Sequence, residues 1–298
     1  MPETHHVRRA GLDRLVKHRT VDLDGVEVFY REAGPSAGPA LLLPHGYPGS
    51  SMEFRNLMPA LADRYRVLAP DFPGQGLSAT PPDFDYSFEG YAQFLERFAR
   101  RMGLGRFVLW LHDFGSQIGL RLAIRRPEWI AGLVVQNGDI YADTLGPKYE
   151  AMRRYFADKS EENFAPIAEA VSIEGFEDEY RGDLRPELRE LVPPELWLFH
   201  WSLVTPRRRE IILGLIRGLE QNLDRFSEYQ AYLRAHQPPT LILWGPQDGF
   251  MPEAAGRAYL RDLPEADLHI LDAGHWALET NLEQVVELLR PWLERLEP

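Results

Sequence analysis

The sequence predicts an α/β protein, with a mostly parallel eight-stranded sheet flanked by helices and a helical segment inserted after the sixth strand. Three observations carry that prediction. The first is "TVDLDGVEVFYREAG", two alternating runs around Asp24-Gly25, residues that tolerate the positive φ of a tight hairpin turn. The second is a series of short apolar runs separated by helix-like stretches: Ala40 to Leu43, Arg66 to Ala69, Phe107 to Leu111, Leu133 to Val135, Leu241 to Trp244 and Leu268 to Leu271. Runs apolar on both faces suit strands of a parallel sheet covered by helices. The third is a break in this rhythm between about Tyr141 and Leu223. Residues there recur at helical spacing, as in Tyr149, Met152, Tyr155 and Phe156, then Trp197, Trp201 and Val204, with punctuation at Pro147, Pro193-Pro194 and Pro206. The expected division is a core of residues 1–140 and 219–298 carrying a helical cap at 141–218.

Composition narrows the function. The 298 residues are 44% hydrophobic and 26% charged, enough for one large core with a smaller companion. A formal charge of −12 argues against a nucleic-acid or anionic-membrane partner and for a small apolar or weakly polar organic substrate. The absence of cysteine removes disulfides, thiolate metal sites and a cysteine nucleophile. "MPETHHVRRAGLDRLVKHRT" is charged throughout, without the apolar stretch of a secretory signal, and no later run nears the ~18 apolar residues of a membrane span. The expectation is a soluble cytoplasmic protein, monomeric or homodimeric.

The chemistry concentrates at strand ends. In "WLHDFGSQIG" an apolar strand turns sharply into a helix with Asp113 at the turn and the small Gly115 just after it. This is the layout that lifts a nucleophile above a sheet at a helix N-terminus, although an aspartate there could also serve only as an N-cap. "LLLPHGYPGS" runs a strand into His45-Gly46-Tyr47-Pro48, where the loop can supply an oxyanion-hole N–H from Tyr47 to complement that of Phe114. Asp248 follows the strand of "LILWGPQDGF", and His275 follows that of "LHILDAGHWALET". The chain order is therefore nucleophile, acid, histidine. Gly74-Gln75-Gly76-Leu77-Ser78-Ala79 formally fits a dinucleotide fingerprint, but Thr80-Pro81-Pro82 follows where a helix should open. It is read as a tight surface turn, and neither cofactor nor metal is expected.

With these residues in place, the sequence resembles the α/β-hydrolase fold family with an aspartate nucleophile, the group of epoxide hydrolases and haloalkane or haloacid dehalogenases. The motifs are His45-Gly46-Tyr47-Pro48, Asp71-Phe72-Pro73-Gly74-Gln75-Gly76-Leu77-Ser78, His112-Asp113-Phe114-Gly115, Trp244-Gly245-Pro246-Gln247-Asp248 and Gly274-His275-Trp276. They cover about residues 19–138 and 219–298, with little resemblance across the cap. The resemblance implies that Asp113 attacks a saturated carbon and forms an alkyl ester. An ester, unlike the ether a serine would give, is open to hydrolysis by a water that neutral His275 activates and Asp248 supports. Asp139, after the preceding strand, is the rival for the acid role. Leu111 stands two residues before the nucleophile, where epoxide hydrolases commonly carry glycine, and implies a tilted elbow or a divergent branch.

Two leaving groups remain. An epoxide oxygen wants a proton, which the family usually draws from two cap tyrosines. Tyr141, Tyr149, Tyr155 and Tyr180 are available, with Tyr229 and Tyr232 just beyond; Tyr149 and Tyr180 are the selections, and His200 could replace one. A halide wants side-chain N–H donors, and the usual positions hold Phe114 and Tyr47, which have none. Trp276 and Trp201 could partly compensate, and His45 is placed with them in the pocket wall. Neither Phe114 nor Gln117 offers the arginine of a haloacid dehalogenase. The expectation is an epoxide hydrolase giving vicinal diols, with a dehalogenase as the alternative. A non-catalytic binding protein of this fold would carry a broken triad.

Overall fold

The computed structural model describes residues 14–296. The first part of the charged N-terminal stretch, and the extreme ends of the expected core, lie outside the described residues. β1 (Lys17–Leu23) and β2 (Val26–Ala33) form the hairpin, with Asp24 and Gly25 at φ 57° and 84°. Then come β3 (Ala40–Leu42), α1 (Leu57–Leu61), β4 (Arg66–Pro70), α2 (Phe88–Arg101), β5 (Phe107–His112), α3 (Asp113–Arg125) and β6 (Ile130–Gln136). The sheet has eight strands in the order β1-β2-β4-β3-β5-β6-β7-β8, where β7 is Thr240–Trp244 and β8 is Asp267–Ile270. β2 runs antiparallel to β1 and β4, and the other pairings are parallel.

The continuous apolar runs are explained by two-sided burial. In β5, Phe107, Leu109 and Leu111 join the core built on α2 and α3, with Phe94, Phe98 and Ile118. The alternate residues Val108 and Trp110 enter the opposite layer with Leu57 and Leu61 of α1 and Leu289 of the C-terminal helix. A strand with period two and a helix layer on each face has no polar position to spare. Leu111 is accommodated by a small partner: a Cβ on Gly119 of α3 would meet Leu111 Cδ2 at 2.6 Å. The elbow forms with the leucine in place, because the helix gives up the volume the strand adds.

Between β6 and β7 the described residues form helices and no strand. They are α4 (Glu150–Ala157), α5 (Glu161–Glu169), α6 (Ile173–Arg181), α7 (Pro186–Arg189), α8 (Glu195–Ser202), α9 (Pro206–Arg217), α10 (Leu219–Leu223) and α11 (Phe226–His236). α11 packs on α3, so helix continues past residue 218 and its last member lies with the sheet. α12 (Glu253–Ala258) precedes β8, and α13 (Ala277–Thr280) and α14 (Leu282–Arg295) close the chain. No helix among the described residues is long and apolar enough to cross a membrane.

The glycine-rich turn after β4 departs from expectation. It is only partly a surface turn: Phe72, Pro73, Gly74, Gly76 and Ser78 are buried, while Leu77 is exposed. Asp71 organises it, accepting the N–H groups of Ser51 and Leu77 at 2.7 Å each. Arg208 of α9 covers it, donating to the carbonyls of Gly76 and Ser78 at 2.7 Å. An aspartate that satisfies backbone donors allows a glycine turn to be buried beneath a helix.

Candidate active site

Asp113 begins α3 directly after β5, with φ 47°. A left-handed conformation at a non-glycine residue costs on the order of 1–3 kcal/mol and persists where its surroundings over-determine it. Here the Asp113 N–H donates to the Asn137 carbonyl at 3.1 Å. Asp113 Oδ1 accepts the Tyr47 N–H at 2.5 Å. Gly46 permits that approach, since a Cβ there would fall 2.4 Å from Asp113 Cβ. The Phe114 N–H belongs to the first turn of α3, where no intrahelical acceptor exists.

His275 faces the other carboxylate oxygen, its Nε2 3.8 Å from Asp113 Oδ2. That nitrogen is buried and has no hydrogen-bond partner among the described residues. On the other side of the ring, Nδ1 lies 2.7 Å from Asp248 Oδ2. Asp248 is saturated: Oδ2 also accepts from Asn137 Nδ2 at 2.8 Å, and Oδ1 accepts the N–H groups of Phe250 and Met251 at 2.9 Å. Burial alone would raise its pKa, but the charge and hydrogen bond of His275, with these donors, pull it down to about 2. For His275 burial favours the neutral ring, yet Asp248, Asp113 and Glu179 outweigh it and push the imidazole up to about 9.

Asp139 is not brought to His275. Its carboxylate accepts from Gln117 Nε2 at 3.0 Å and from the Tyr149 hydroxyl at 2.8 Å. Burial, with the charges of Asp113 and Asp248, drives its pKa up to about 7 against the Tyr149 hydrogen bond.

A cavity of about 140 Å³ opens over Asp113 and His275. Tyr47, Phe114, Met152, Ile167, Val171 and Phe250 give it largely apolar walls. A dry cavity of roughly 150 Å³ accepts benzene, so one ring or a short alkyl group sets the scale of what fits.

Most of the expected pocket residues prove to be committed elsewhere. Tyr149 lines the cavity, but its hydroxyl proton goes to Asp139. Tyr180 lies outside the cavity wall, with its hydroxyl 2.9 Å from His200 Nδ1. His200 in turn meets the Leu196 carbonyl at 2.7 Å and Ser50 Oγ at 2.9 Å, and burial presses its pKa down to about 3. Trp276 donates its indole N–H to the Glu179 carbonyl at 2.9 Å, and Trp201 packs edge-on against Phe176. His45 is buried with Nε2 accepting the Phe72 N–H at 3.2 Å, which places its proton on Nδ1 toward the Gly46 carbonyl. Apart from Trp201, each is a polar side chain engaged by hydrogen bonds within its own packing, the usual fate of buried polar groups.

Three residues absent from the sequence reading belong to the site. Asn137 directly follows β6 at φ 41°, braces Asp248, and exchanges hydrogen bonds with Gly245 through both side-chain amide atoms. Lys148 lines the cavity while pairing with Asp178 at 2.7 Å and Asp183 at 3.0 Å. Glu179 also lines the cavity. In "IEGFEDEYR" it lies three residues after Phe176 and one before Tyr180, both buried, so helical spacing puts a glutamate on the inward face of α6. That was the available signal.

This arrangement, a strand-to-helix elbow carrying a polar residue opposite a histidine and a buried acid, defines a hydrolase-type site. The chain belongs to the alpha/beta hydrolase fold family, whose model matches residues 39–282. It is 32% identical to an uncharacterized hydrolase of Saccharomyces cerevisiae, over 91% of this chain and 94% of that one. It is 31% identical to haloalkane dehalogenase 2 of Mycobacterium tuberculosis, over 79% of this chain and 80% of that one. Among solved structures, an epoxide hydrolase mutant from Vigna radiata superposes with TM-score 0.74 at 19% identity, covering 94% of this chain and 99% of that one.

Proposed function

We propose that this protein hydrolyses epoxides to vicinal diols through an alkyl ester on Asp113. The observation that supports this most is the state of the N–H donors around the nucleophile. Trp276 has spent its indole N–H on a backbone carbonyl, Trp201 is not among the residues lining the cavity, and Tyr47 and Phe114 carry no side-chain N–H. A departing halide would meet little there, whereas an oxygen leaving group needs only a proton.

In this mechanism Asp113 Oδ2, the oxygen without an N–H partner, attacks an epoxide carbon from the apolar cavity. The C–O bond of the ring breaks and its oxygen takes up a proton. Esterification also removes one of the negative charges that hold the His275 proton, so the imidazole loses it and becomes a base. The gap of 3.8 Å between Nε2 and Oδ2 leaves that nitrogen free to take a proton from water. The hydroxide adds to the ester carbonyl, and charge gathers on Oδ1 against the N–H groups of Tyr47 and Phe114. Each such donor contributes on the order of 3 kcal/mol in related sites. Collapse releases the diol and restores the carboxylate.

Similarity to haloalkane dehalogenase 2 favours a second reading, displacement of halide from an alkyl halide. The two separate cleanly in a His275→Gln variant, which should trap the ester. Weighed intact after incubation with an aryl epoxide, it should gain the full epoxide mass on Asp113. A gain only from a bromoalkane, of the alkyl group without bromine, would assign dehalogenation instead.

A further inference from the structure

We propose that Glu179, in the α6 wall of the cavity, is the acid that protonates the epoxide oxygen when Asp113 opens the ring. This rests on the epoxide reading and names the proton donor that reading requires. The tyrosines do not serve: the Tyr149 proton is held by Asp139, and Tyr180 does not line the cavity. Glu179 shares the cavity with both Asp113 and His275, and no hydrogen bond or ion pair engages its carboxyl among the described residues. Its backbone is fixed beside the histidine, since its carbonyl accepts the Trp276 N–H at 2.9 Å.

The charges facing Glu179 come from four separate parts of the chain. Lys148 and His275 favour its ionised form, while Asp113 and Asp248 oppose it. Lys148 is largely occupied by Asp178 and Asp183. Burial is the largest influence, and with the two aspartates it pushes the Glu179 carboxyl up to about 8. A carboxylic acid that keeps its proton at neutral pH beside a nucleophile is the division of roles that acid-assisted displacement needs.

The protons balance. Before attack, Glu179 and His275 carry a proton each and Asp113 is ionised. Ring opening forms the Asp113–carbon bond, breaks the ring C–O bond, and moves the Glu179 proton to the oxygen. The proton that His275 sheds after esterification then restores Glu179. Water hydrolyses the ester, its proton passing to His275, and the resting state returns with one epoxide and one water consumed.

The test uses the full chain carrying His275→Gln, with the rate of aryl-epoxide adduct formation followed by intact mass from pH 6 to 10. The single variant should alkylate with a rate that falls through an alkaline limb. Adding Glu179→Gln should slow alkylation at pH 7 by at least about 100-fold and abolish that limb, in line with the usual worth of a general acid. Glu179→Asp, which keeps a carboxyl, should recover part of the rate and a limb. Circular dichroism confirms the fold of each. If the His275→Gln/Glu179→Gln protein alkylates within threefold of its parent with the same pH profile, the Glu179 assignment falls and the epoxide reading stands. If His275→Gln alone forms no epoxide adduct, both fall.

Discussion

The two walls of the cavity are built on different logic. On the sheet side, Asp113, Asp248, His275 and Asn137 stand at the ends of adjacent strands, and their polar atoms point at one another or into the cavity. On the helical side, the polar groups the sequence offers are engaged by neighbouring groups: Tyr149 by Asp139, Tyr180 by His200, and His200 also by Ser50 and the Leu196 carbonyl. Glu179 is the exception, a carboxyl left facing the cavity. Parallel strands hold their C-terminal ends in register, so a motif at such an end meets its neighbour's motif. Helices joined by short turns carry no comparable rule, and a hydroxyl there goes to the nearest acceptor.

The largest expected effect tests the sheet wall. Asp113→Asn should reduce turnover of an aryl epoxide on the order of 10⁴-fold, read by steady-state diol formation; residual activity within tenfold of the parent would move the nucleophile elsewhere. Next, Asp248→Ala should lower ester hydrolysis by on the order of 10⁴-fold and accumulate the adduct, whereas Asp139→Asn should leave the hydrolysis rate within about tenfold. Single-turnover mass spectrometry compares the two, and the reverse ranking would reassign the acid. Asn137→Ala should cost 10- to 100-fold, the range for a residue that orients a catalytic group through one hydrogen bond, with the loss in kcat rather than KM.

The smallest effects probe the helical wall. Tyr180→Phe should change the alkylation rate by less than about threefold; a loss above 100-fold would return the proton-donor role to that tyrosine. Glu179→Gln should make the protein more stable. Its folded pKa of about 8 lies above the ~4.3 of an unfolded glutamate. The folded state therefore binds the extra proton, and stability falls as pH rises between those values. Removing the group should raise Tm by about 2 °C at pH 8 and by less at pH 5. An unchanged or lower Tm at pH 8 would show that the carboxyl is relieved by solvent.

How much was legible follows the same division. The hairpin was readable from Asp24-Gly25, whose positive φ values occur as expected, and β5 and β7 from apolar runs that prove buried on both faces. Asp113, Asp248 and His275 were legible because each follows such a run within a few residues. Asn137 was overlooked although it follows β6 in the same way, since an Asn-Gly pair also reads as an ordinary turn. Helical spacing alone does not mark where the inserted segment ends, since α11 continues it while packing on α3 of the core.

The sequence by itself determined the strand order's raw material, the two-faced apolar runs, and the placement of Asp113, Asp248 and His275 just after strands, because these are local patterns with a fixed period. Only the tertiary structure decided that Asp248 rather than Asp139 meets His275, that Gly119 makes room for Leu111, and that the candidate tyrosines have other partners. It also decided that Glu179 lines the same cavity as Asp113. Those outcomes depend on distances between groups far apart in the chain, and in a low-dielectric cavity such distances set which carboxyl keeps its proton.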